Sequence, residues 1–360
     1  MKIKLNDHTR SVCGTKIKST IQKEENMIKQ RKSARHEKWV AITLIVVVGL
    51  ILGLCQSVTA ADKYPSRSVS IINPLRPGGG TDIELRNLAP FVQKYLGEAV
   101  VVKPMPGGGT TIGVTAAENA KADGYTLICV PLQHAILAQD FNESGTHLQN
   151  FEPIYGWFEG PMSIEVKGDS PYKTLNDLIA ASKQKKLKAA LAGIGSIDHL
   201  HTLLLEQELG IKTVTIPYGG GGPASKAVMG GEVDFLVGLS TTAVRFVRDG
   251  KIRVLAILGP KRLEALPDVP TIYELGFKDY PNISFIRGVL SPPGTPKDVV
   301  ATLESAFKKA VDDPGFREIM KKQGRPVKAF SSQGMKKASE DTAKLSQKYT
   351  PFMKAAAKKK

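Results

Sequence analysis

Four glycine-rich segments interrupt this chain, and each stands between a run of β-branched residues and a stretch of helical periodicity. The segments are PGGGTD at 77–82, PGGGTT at 106–111, GIGS at 193–196 and GGGGP at 219–223. Alternation of short strands with helices is typical of parallel sheets, because two parallel strands need a long crossover between them. The sequence therefore predicts an α/β fold in which glycine loops lie where strands end and helices begin.

The alternating pattern occurs in two regions. One runs from Asp62 to Pro153, and the other starts with the apolar run MSIEV at 162–166. At roughly 100 to 200 residues per domain, 360 residues leave room for two lobes. We place the first lobe at residues 61–160 and 285–360 and the second at 161–284. Each is expected to be a mostly parallel sheet flanked by helices, with a ligand cleft between them.

A long amphipathic helix is predicted after the segment SPPGTP at 291–296. Thr295 is its predicted cap, and proline at 296 suits a first helical turn. Val300, Leu303, Phe307 and Val311 recur on one face, so this helix is expected to pack on a sheet.

The first sixty residues have the layout of an export signal. A basic segment precedes sixteen uncharged residues, Trp39–Leu54, and small residues follow up to Ala60. A spanning helix needs about 20 apolar residues, so this length favours cleavage after Ala60 and a periplasmic location. The basic segment is long, and Met27 would give a start of ordinary length. A retained anchor and a lipoprotein acylated at Cys55 are the alternatives.

The formal charge of +16 is concentrated near the amino terminus. Residues 1–38 hold eleven Lys/Arg and four Asp/Glu, so the segment predicted to be removed carries +7. The charge therefore does not indicate a nucleic-acid partner.

The glycine loops predict a binding site for a small anion. A strand that ends where a helix begins points main-chain N–H groups at the loop, and glycine lets a ligand approach them closely. Thr81 and Glu84 have the spacing of a capping box at the first of these helices. In open α/β sheets, ligands bind outside the carboxyl ends of the strands. A cleft between two such lobes would bind a small negatively charged molecule.

Several side chains could complete this site. Arg76 and Arg287 could each form a bidentate pair with a carboxylate. Gln133 and His134 follow a predicted strand at its carboxyl end, and Ser240, Thr241 and Thr242 follow another, where each could contact ligand or serve the fold. Ser196 could donate its hydroxyl to ligand while also capping a helix, whereas Asp82 could complement a helix dipole or orient a bound group.

No constellation for catalysis is evident. His199 and His201 are two residues apart on a helix, which is the wrong spacing for a metal pair, and Ser196 lacks the G-x-S-x-G elbow. Cys129 stands alone in a predicted strand. We expect no metal, no cofactor and no enzymatic activity, although an enzyme for a small anionic substrate is one alternative.

Eight segments of the chain, taken in order, resemble a known family. They are PSRSVSIINPLRPGGGTDIELR, VVVKPMPGGGTTIG, ADGYTL, GIGSIDHL, IPYGGGGPASKAVMGGEVD, GKIRVLAI, RLEALPDVPTIYELGF and SPPGTP. This series is similar to the extracytoplasmic solute receptors of tripartite tricarboxylate transporters, the Bug-type receptors. The resemblance implies a two-lobed periplasmic-binding-protein fold that closes on a small carboxylate and delivers it to integral-membrane permease subunits.

In this family the carboxylate-gripping loops correspond to residues 77–82, 195–196 and 218–223 of this sequence. With the side chains above, the predicted ligand-binding residues are Arg76, Pro77, Gly78, Gly79, Gly80, Thr81, Asp82, Gln133, Gly195, Ser196, His199, Tyr218, Gly220, Gly221, Pro223 and Ser240. The receptor is expected to be a monomer without a nucleic-acid partner. A receptor that feeds a signalling partner is the remaining alternative.

Overall fold

The computed structural model describes residues 64–358 together with the single residues Met27 and Leu44. Residues 64–358 lie within one compact unit. The predicted export segment, its cleavage after Ala60 and acylation of Cys55 fall outside the described residues. No helix in the described part of the chain is both long and apolar enough to cross a membrane.

Ten strands and ten α-helices are found in residues 64–358. The strands are β1 Val69–Asn73, β2 Val100–Pro104, β3 Thr126–Pro131, β4 Glu152–Gly160, β5 Met162–Lys167, β6 Leu187–Leu191, β7 Thr213–Pro217, β8 Phe235–Leu239, β9 Ile252–Leu258 and β10 Phe285–Ser291. The helices are α1 Gly80–Leu96, α2 Thr111–Glu118, α3 Leu132–Asn142, α4 Leu175–Gln184, α5 Ile197–Leu209, α6 Gly221–Gly230, α7 Ser240–Arg248, α8 Lys297–Asp312, α9 Pro314–Lys322 and α10 Ser332–Lys358. Strands and helices alternate as the sequence predicted.

The strands form two five-stranded sheets with equivalent topology. The first sheet has the order β2-β1-β3-β10-β4, and the second has the order β7-β6-β8-β5-β9. In each sheet four strands share one direction and one strand, β10 or β5, runs against its neighbours.

The reversed strand is in both cases the first strand after the chain crosses between sheets. β4 ends at Gly160 and β5 begins at Met162, so the first crossing is the single residue Pro161. The return crossing is made by residues 259–284. Because β4 and β9 end at the edge that carries the glycine loops, the strand that follows each crossing must run away from this edge. The first sheet draws its strands from residues 69–160 and 285–291, while the lobe boundaries themselves stay a prediction.

Helices cover both sheets with apolar faces. In α1, Leu85, Leu88, Ala89 and Val92 are buried. In the predicted stripe of α8, Leu303, Phe307 and Val311 are buried as expected, whereas Val300 is half-buried. Cys129 lies in β3 as predicted; it is fully buried, and burial raises the pKa of its thiol to about 12. The predicted cap of α8 is wrong: the helix begins at Lys297, and Thr295 Oγ1 donates instead to Pro292 O at 2.8 Å.

Candidate functional site

A cavity of about 710 Å³ lies between the two sheets, at the edge where the glycine loops join strands to helices. The first wall belongs to elements of the first sheet and consists of residues 75–81, Ile83, His134, Phe285, Arg287, Lys322, Gln323 and Arg325. The second wall belongs to elements of the second sheet and consists of Met162, Glu165, Ala192, Ile197, Asp198, residues 220–223, Ser225, Lys226, residues 236–239, Thr241, Thr242, Arg245, Phe246, Arg248 and Asp249.

The amino-terminal ends of four helices line this cavity. They belong to α1 on the first wall and to α5, α6 and α7 on the second. α1, α6 and α7 begin without a side-chain cap, at Gly79, Gly220 and Leu239. The first N–H groups of a helix have no partner within the helix and carry a partial positive charge. Three uncapped helix ends on two walls therefore form an anion-attracting environment.

Asp82 holds the first glycine loop in shape. Its carboxylate accepts from Gly78 N, Asn73 Nδ2 and Arg86 Nε, each at 3.0 Å. Gly78 has φ +79°, a conformation that glycine adopts without strain. Burial tends to raise the pKa of Asp82, but the hydrogen bonds from Arg86, Gly78 and Asn73 outweigh it and keep the pKa below its usual value. Asp82 is absent from the cavity lining and orders the loop.

The predicted capping box at Thr81 and Glu84 is wrong. Gly79 caps α1, and Thr81 Oγ1 accepts from Arg287 Nε at 3.1 Å. Glu84 is fully buried, pairs with Arg287 and accepts from Arg325 Nη1 at 2.7 Å. Both side chains are therefore used by two arginines distant in sequence. Arg287 lines the cavity, but its guanidinium is engaged by Glu84 and Thr81.

Arg325 ties the same cluster to the start of α1, because its Nη1 also donates to Gly80 O at 3.0 Å. The cluster holds two guanidinium groups and one carboxylate, so a net positive charge lies directly beneath the uncapped end of α1. Burial of such a cluster is tolerated because each charge has a partner.

The two walls come close together at several points around the cavity. A Cβ placed on Gly80 would lie 3.2 Å from Thr242 Oγ1, and one on Gly219 would lie 3.4 Å from Arg76 Nη2. The cleft is thus closed at these points. The Arg76 guanidinium lies against the glycine loop at residues 219–223 instead of pairing with a carboxylate among the described residues.

His134 and Asp198 approach each other from opposite walls. His134 Nδ1 lies 4.0 Å from Asp198 Oδ1, and both side chains are buried. Burial raises the pKa of Asp198 to about 6 and lowers the pKa of His134 to about 4. Near pH 7 the imidazole is therefore neutral.

Two polar side chains of the second wall lack the partners found on the first. Glu165, in the middle of β5, is 2% exposed, and Thr241 of α7 is equally buried. Glu165 Oε1 accepts from Ser163 Oγ at 2.9 Å, and no ion pair among residues 64–358 includes Glu165. Thr241 Oγ1 has no hydrogen-bond partner in this part of the chain. Burial raises the pKa of Glu165 to about 8.

Nine of the sixteen predicted ligand-binding residues line the cavity. They are Arg76, Pro77, Gly78, Gly79, Gly80, Thr81, Gly220, Gly221 and Pro223. Their contact with a ligand stays a prediction. The remaining seven lie outside the lining, and their contacts explain why.

Gln133 and Ser240 serve the framework. Gln133 Oε1 accepts from Ile286 N at 2.7 Å, which ties α3 to β10, and Ser240 Oγ donates to Pro161 O at 2.8 Å, which ties α7 to the chain crossing. Tyr218 lies outside the lining, and its hydroxyl is 3.4 Å from Glu232 Oε2.

The predicted loop at residues 195–196 forms a closed hydrogen-bonded turn. Ser196 caps α5 by accepting from His199 N, and its own hydroxyl donates to Gly193 O. His199 Nδ1 accepts from Gly195 N at 3.2 Å, and Gly195 packs on Phe141. Ser196, His199 and Gly195 therefore stabilise the turn, whereas Asp198 beside them lines the cavity.

Sequence reasoning missed most charges of the second wall and of the α9 end. The cavity lining holds seven Lys/Arg and three Asp/Glu side chains, of which only Arg76 was a predicted ligand-binding residue. Lys226, Arg245 and Arg248 stand on helices whose polar positions look like ordinary solvated faces. Glu165 was missed because an acid alternating with apolar residues in MSIEV is typical of a half-exposed strand.

Comparison with known proteins identifies one family. The model described as "Tripartite tricarboxylate transporter family receptor" matches residues 85–354. Protein BugT of Bordetella pertussis is 33% identical over 300 residues, which cover 81% of this chain and 91% of that protein.

Solved structures are similar along the same length. The periplasmic binding protein BugD matches with a TM-score of 0.75 and 31% identity, covering 81% of this chain and 98% of that one. MatC from Rhodopseudomonas palustris, solved with bound malate, matches with a TM-score of 0.73 and 26% identity, covering 80% and 100% of the two chains. These likenesses confirm the predicted two-lobed periplasmic-binding-protein fold.

Proposed function

This chain belongs to the tripartite tricarboxylate transporter receptor family, and we propose that it binds a small carboxylate in the cavity between its walls and delivers it to a membrane permease. The observation that carries this proposal is the convergence of uncapped helix ends, from α1, α6 and α7, on one cavity. That MatC was solved with malate supports a carboxylate as the ligand class.

A carboxylate placed between Gly79 and Gly221 would accept from main-chain N–H groups of both walls. Hydrogen bonds to charged groups contribute about 1.5 to 3 kcal/mol each, so a few of them suffice for a tight complex. Because main-chain amides carry no net charge, the ligand can leave without separating a buried ion pair. Such a grip suits a receptor that must both bind and release.

The crossings between the sheets provide a route for opening. Only Pro161 and residues 259–284 join the second sheet to the first, and both crossings lie at the cavity edge. We propose that the walls separate about these crossings, which would break the contacts of Gly80 with Thr242 and of Arg76 with Gly219. Export to the periplasm, where the permease could be reached, belongs to the same proposal.

Thermal shift measurements with the purified protein test the ligand class. Mono-, di- and tricarboxylates are compared with neutral sugars and with organic cations at equal concentrations. Stabilisation by at least one carboxylate is expected, because a ligand that binds only the folded state raises the melting temperature. Stabilisation by sugars or cations, with none by any carboxylate, would contradict the proposal.

A bulky substitution at the contact between the walls tests whether the carboxylate binds there. Gly80→Val places a side chain where a Cβ would lie 3.2 Å from Thr242 Oγ1, so closure is hindered. We expect the affinity for the best carboxylate to fall at least about tenfold, or roughly 1.4 kcal/mol, in a folded variant. Gly193→Val is the matched control, since its Cβ would meet nothing within 4 Å. Equal affinity in the two variants would argue against binding between the walls.

Uptake measurements test delivery. Deletion of the gene should abolish cellular uptake of the carboxylate identified above, and return of the gene should restore it. Unchanged uptake, together with tight binding by the purified protein, would favour the alternative of a receptor for a signalling partner.

A further inference from the structure

On the second wall the cavity lining extends beyond the helix ends, and we call this part the arm. Its lining follows α7 from Thr241 to Asp249, and α6 contributes Ser225 and Lys226. At 1.5 Å per helical residue, this stretch is about 12 Å long. A carboxylate held at the helix ends would occupy only the mouth.

Glu165 forms the floor of this arm. β5 pairs with β8 in a register that sets Ser163 against Gly238 and Glu165 against Leu236, so these residues share one face of the sheet. Leu236 packs in one apolar cluster with residues of α6 and α7, so this is the face beneath those helices. A Cβ on Gly238 would lie 2.3 Å from Glu165 Oε1, so only glycine leaves room for the acid.

The arm presents hydrogen-bond donors and cations. Thr241 Oγ1 is buried without a partner among residues 64–358, although a buried hydroxyl normally has one. Lys226, Arg245 and Arg248 line the same space with exposed side chains. These cations disfavour a ligand ammonium group and favour an anionic one.

We infer that Glu165 and Thr241 form a second ligand subsite, in which the protonated carboxyl of Glu165 and the hydroxyl of Thr241 donate to an anionic oxygen group at the far end of the ligand. This inference rests on the proposed function. It makes the preferred ligand a dicarboxylate, one carboxylate held at the helix ends and the other in the arm.

Binding at this subsite depends on pH. The pKa of Glu165 is raised to about 8 by burial, so the carboxyl is a donor near pH 7. As the pH rises through this value, the group loses its proton and adds a negative charge opposite the ligand anion. Affinity for a dicarboxylate should therefore fall above pH 8, while affinity for a monocarboxylate that leaves the arm empty should change little.

Several elements place charged groups around Glu165. On α6 and α7 the charged residues of the arm are Lys226, Arg245, Arg248 and Asp249. On the neighbouring strand, Arg253 of β9 donates to Ser170 O at 3.2 Å, and Lys167 of β5 pairs with Asp169 at 3.1 Å. At the mouth, the pKa values of Asp198 and His134 are about 6 and about 4, both below the range in question.

Isothermal titration of the purified protein with two ligand series tests the subsite. The probes are straight-chain dicarboxylates of four to six carbons and the monocarboxylates of equal length, each titrated at about pH 7 and about pH 9.5. We expect the best dicarboxylate to bind at least about tenfold more tightly than its matched monocarboxylate at pH 7, and to lose at least about tenfold in affinity at pH 9.5.

Glu165→Gln keeps a neutral donor of the same shape, so this variant should retain dicarboxylate binding at both pH values and lose the pH dependence. Thr241→Val should weaken dicarboxylate binding about three- to tenfold without affecting the monocarboxylate. Glu264→Gln makes the same change at an exposed position of the same region and should behave as the parent protein.

Three outcomes would overturn the inference. They are pH dependence that persists in Glu165→Gln, equal binding of the two ligand series by the parent protein, and affinity that rises with pH. In each case carboxylate binding itself would still support the proposed function. Absence of binding by every carboxylate would instead refute the proposed function and the inference together.

Discussion

Threonine and glutamate occur at both walls of the cavity, but their hydrogen-bond and ion-pair partners differ. Threonine occupies the second position of α1 and of α7, as Thr81 and Thr241. A buried glutamate accompanies each, Glu84 directly behind the first wall and Glu165 on the second. On the first wall, Arg287 and Arg325 engage both side chains. On the second wall, Glu165 has no ion pair and Thr241 no hydrogen-bond partner among residues 64–358.

This difference separates groups that serve the fold from groups left for a ligand. A buried polar group costs free energy unless a partner satisfies it. At Thr81 of the first wall, and at Glu84 behind it, this requirement is met by the two arginines, so these groups form a fixed platform for one carboxylate. Gln323 Oε1 is the first-wall atom that is buried without a hydrogen-bond partner among residues 64–358. The second wall leaves the requirement unmet, and we propose that the ligand meets it. Ligand selectivity would then be determined mainly by the second wall.

The largest expected difference between the walls is the change in the free energy of unfolding when each glutamate charge is removed separately. Glu84→Gln leaves two buried guanidinium groups without their carboxylate, and we expect it to lower the free energy of unfolding at pH 7 by about 3 to 5 kcal/mol. Glu165→Gln, the same change on the other wall, should not destabilise the protein. Urea unfolding of the ligand-free variants measures both. Equal losses would show that the two glutamates have the same role.

A second, smaller effect concerns the pH dependence of stability. The unfolded chain releases the Glu165 proton near pH 4.5, but the folded chain keeps it until about pH 8. The parent protein therefore loses stability as the pH rises between these values, and Glu165→Gln does not. The stability of the variant relative to the parent should grow by on the order of 3 kcal/mol across this range. Urea unfolding at several pH values checks this, and a constant difference would show that Glu165 is ionised in the fold.

The smallest effect compares the two threonines. Thr81→Val removes the acceptor of Arg287 Nε and should cost about 1 to 2 kcal/mol of stability. Thr241→Val removes a hydroxyl that has no partner, so its stability should stay within about 0.5 kcal/mol of the parent or exceed it. Thermal unfolding of the two isosteric variants measures both changes in stability. A larger loss at 241 than at 81 would reverse the assignment of the walls.

Local patterns predicted the framework of this protein well. The apolar stripe of α8 and the glycine loops at strand ends follow from periodicity and from turn chemistry, which act over a few residues. The capping-box prediction was wrong because such a pattern considers only neighbouring residues. Thr81 and Glu84 have the correct spacing, but Arg287 and Arg325, more than 200 residues away, compete for both side chains.

The predicted site residues also fall into two groups, those that line the cavity and those that do not. Residues 76–81, with Gly220, Gly221 and Pro223, line the cavity, because main-chain geometry at a strand end depends on the local sequence. That they contact a ligand stays a prediction. Gln133 and Ser240 lie outside the lining, because Ile286 and Pro161 engage their side chains through the packing of distant elements.

The sequence by itself determined that strands alternate with helices and that glycine loops join them at the strand ends, and this pattern was enough to predict a small anion as the ligand. The tertiary structure alone decided which buried polar groups have partners. Glu84 is neutralised by arginines from β10 and from the segment after α9, whereas Glu165, which appears half-exposed in its strand pattern, is covered by α6 and α7 without a counter-charge. Burial and pairing depend on elements brought together from far along the chain, and a pattern of neighbouring residues does not contain that information.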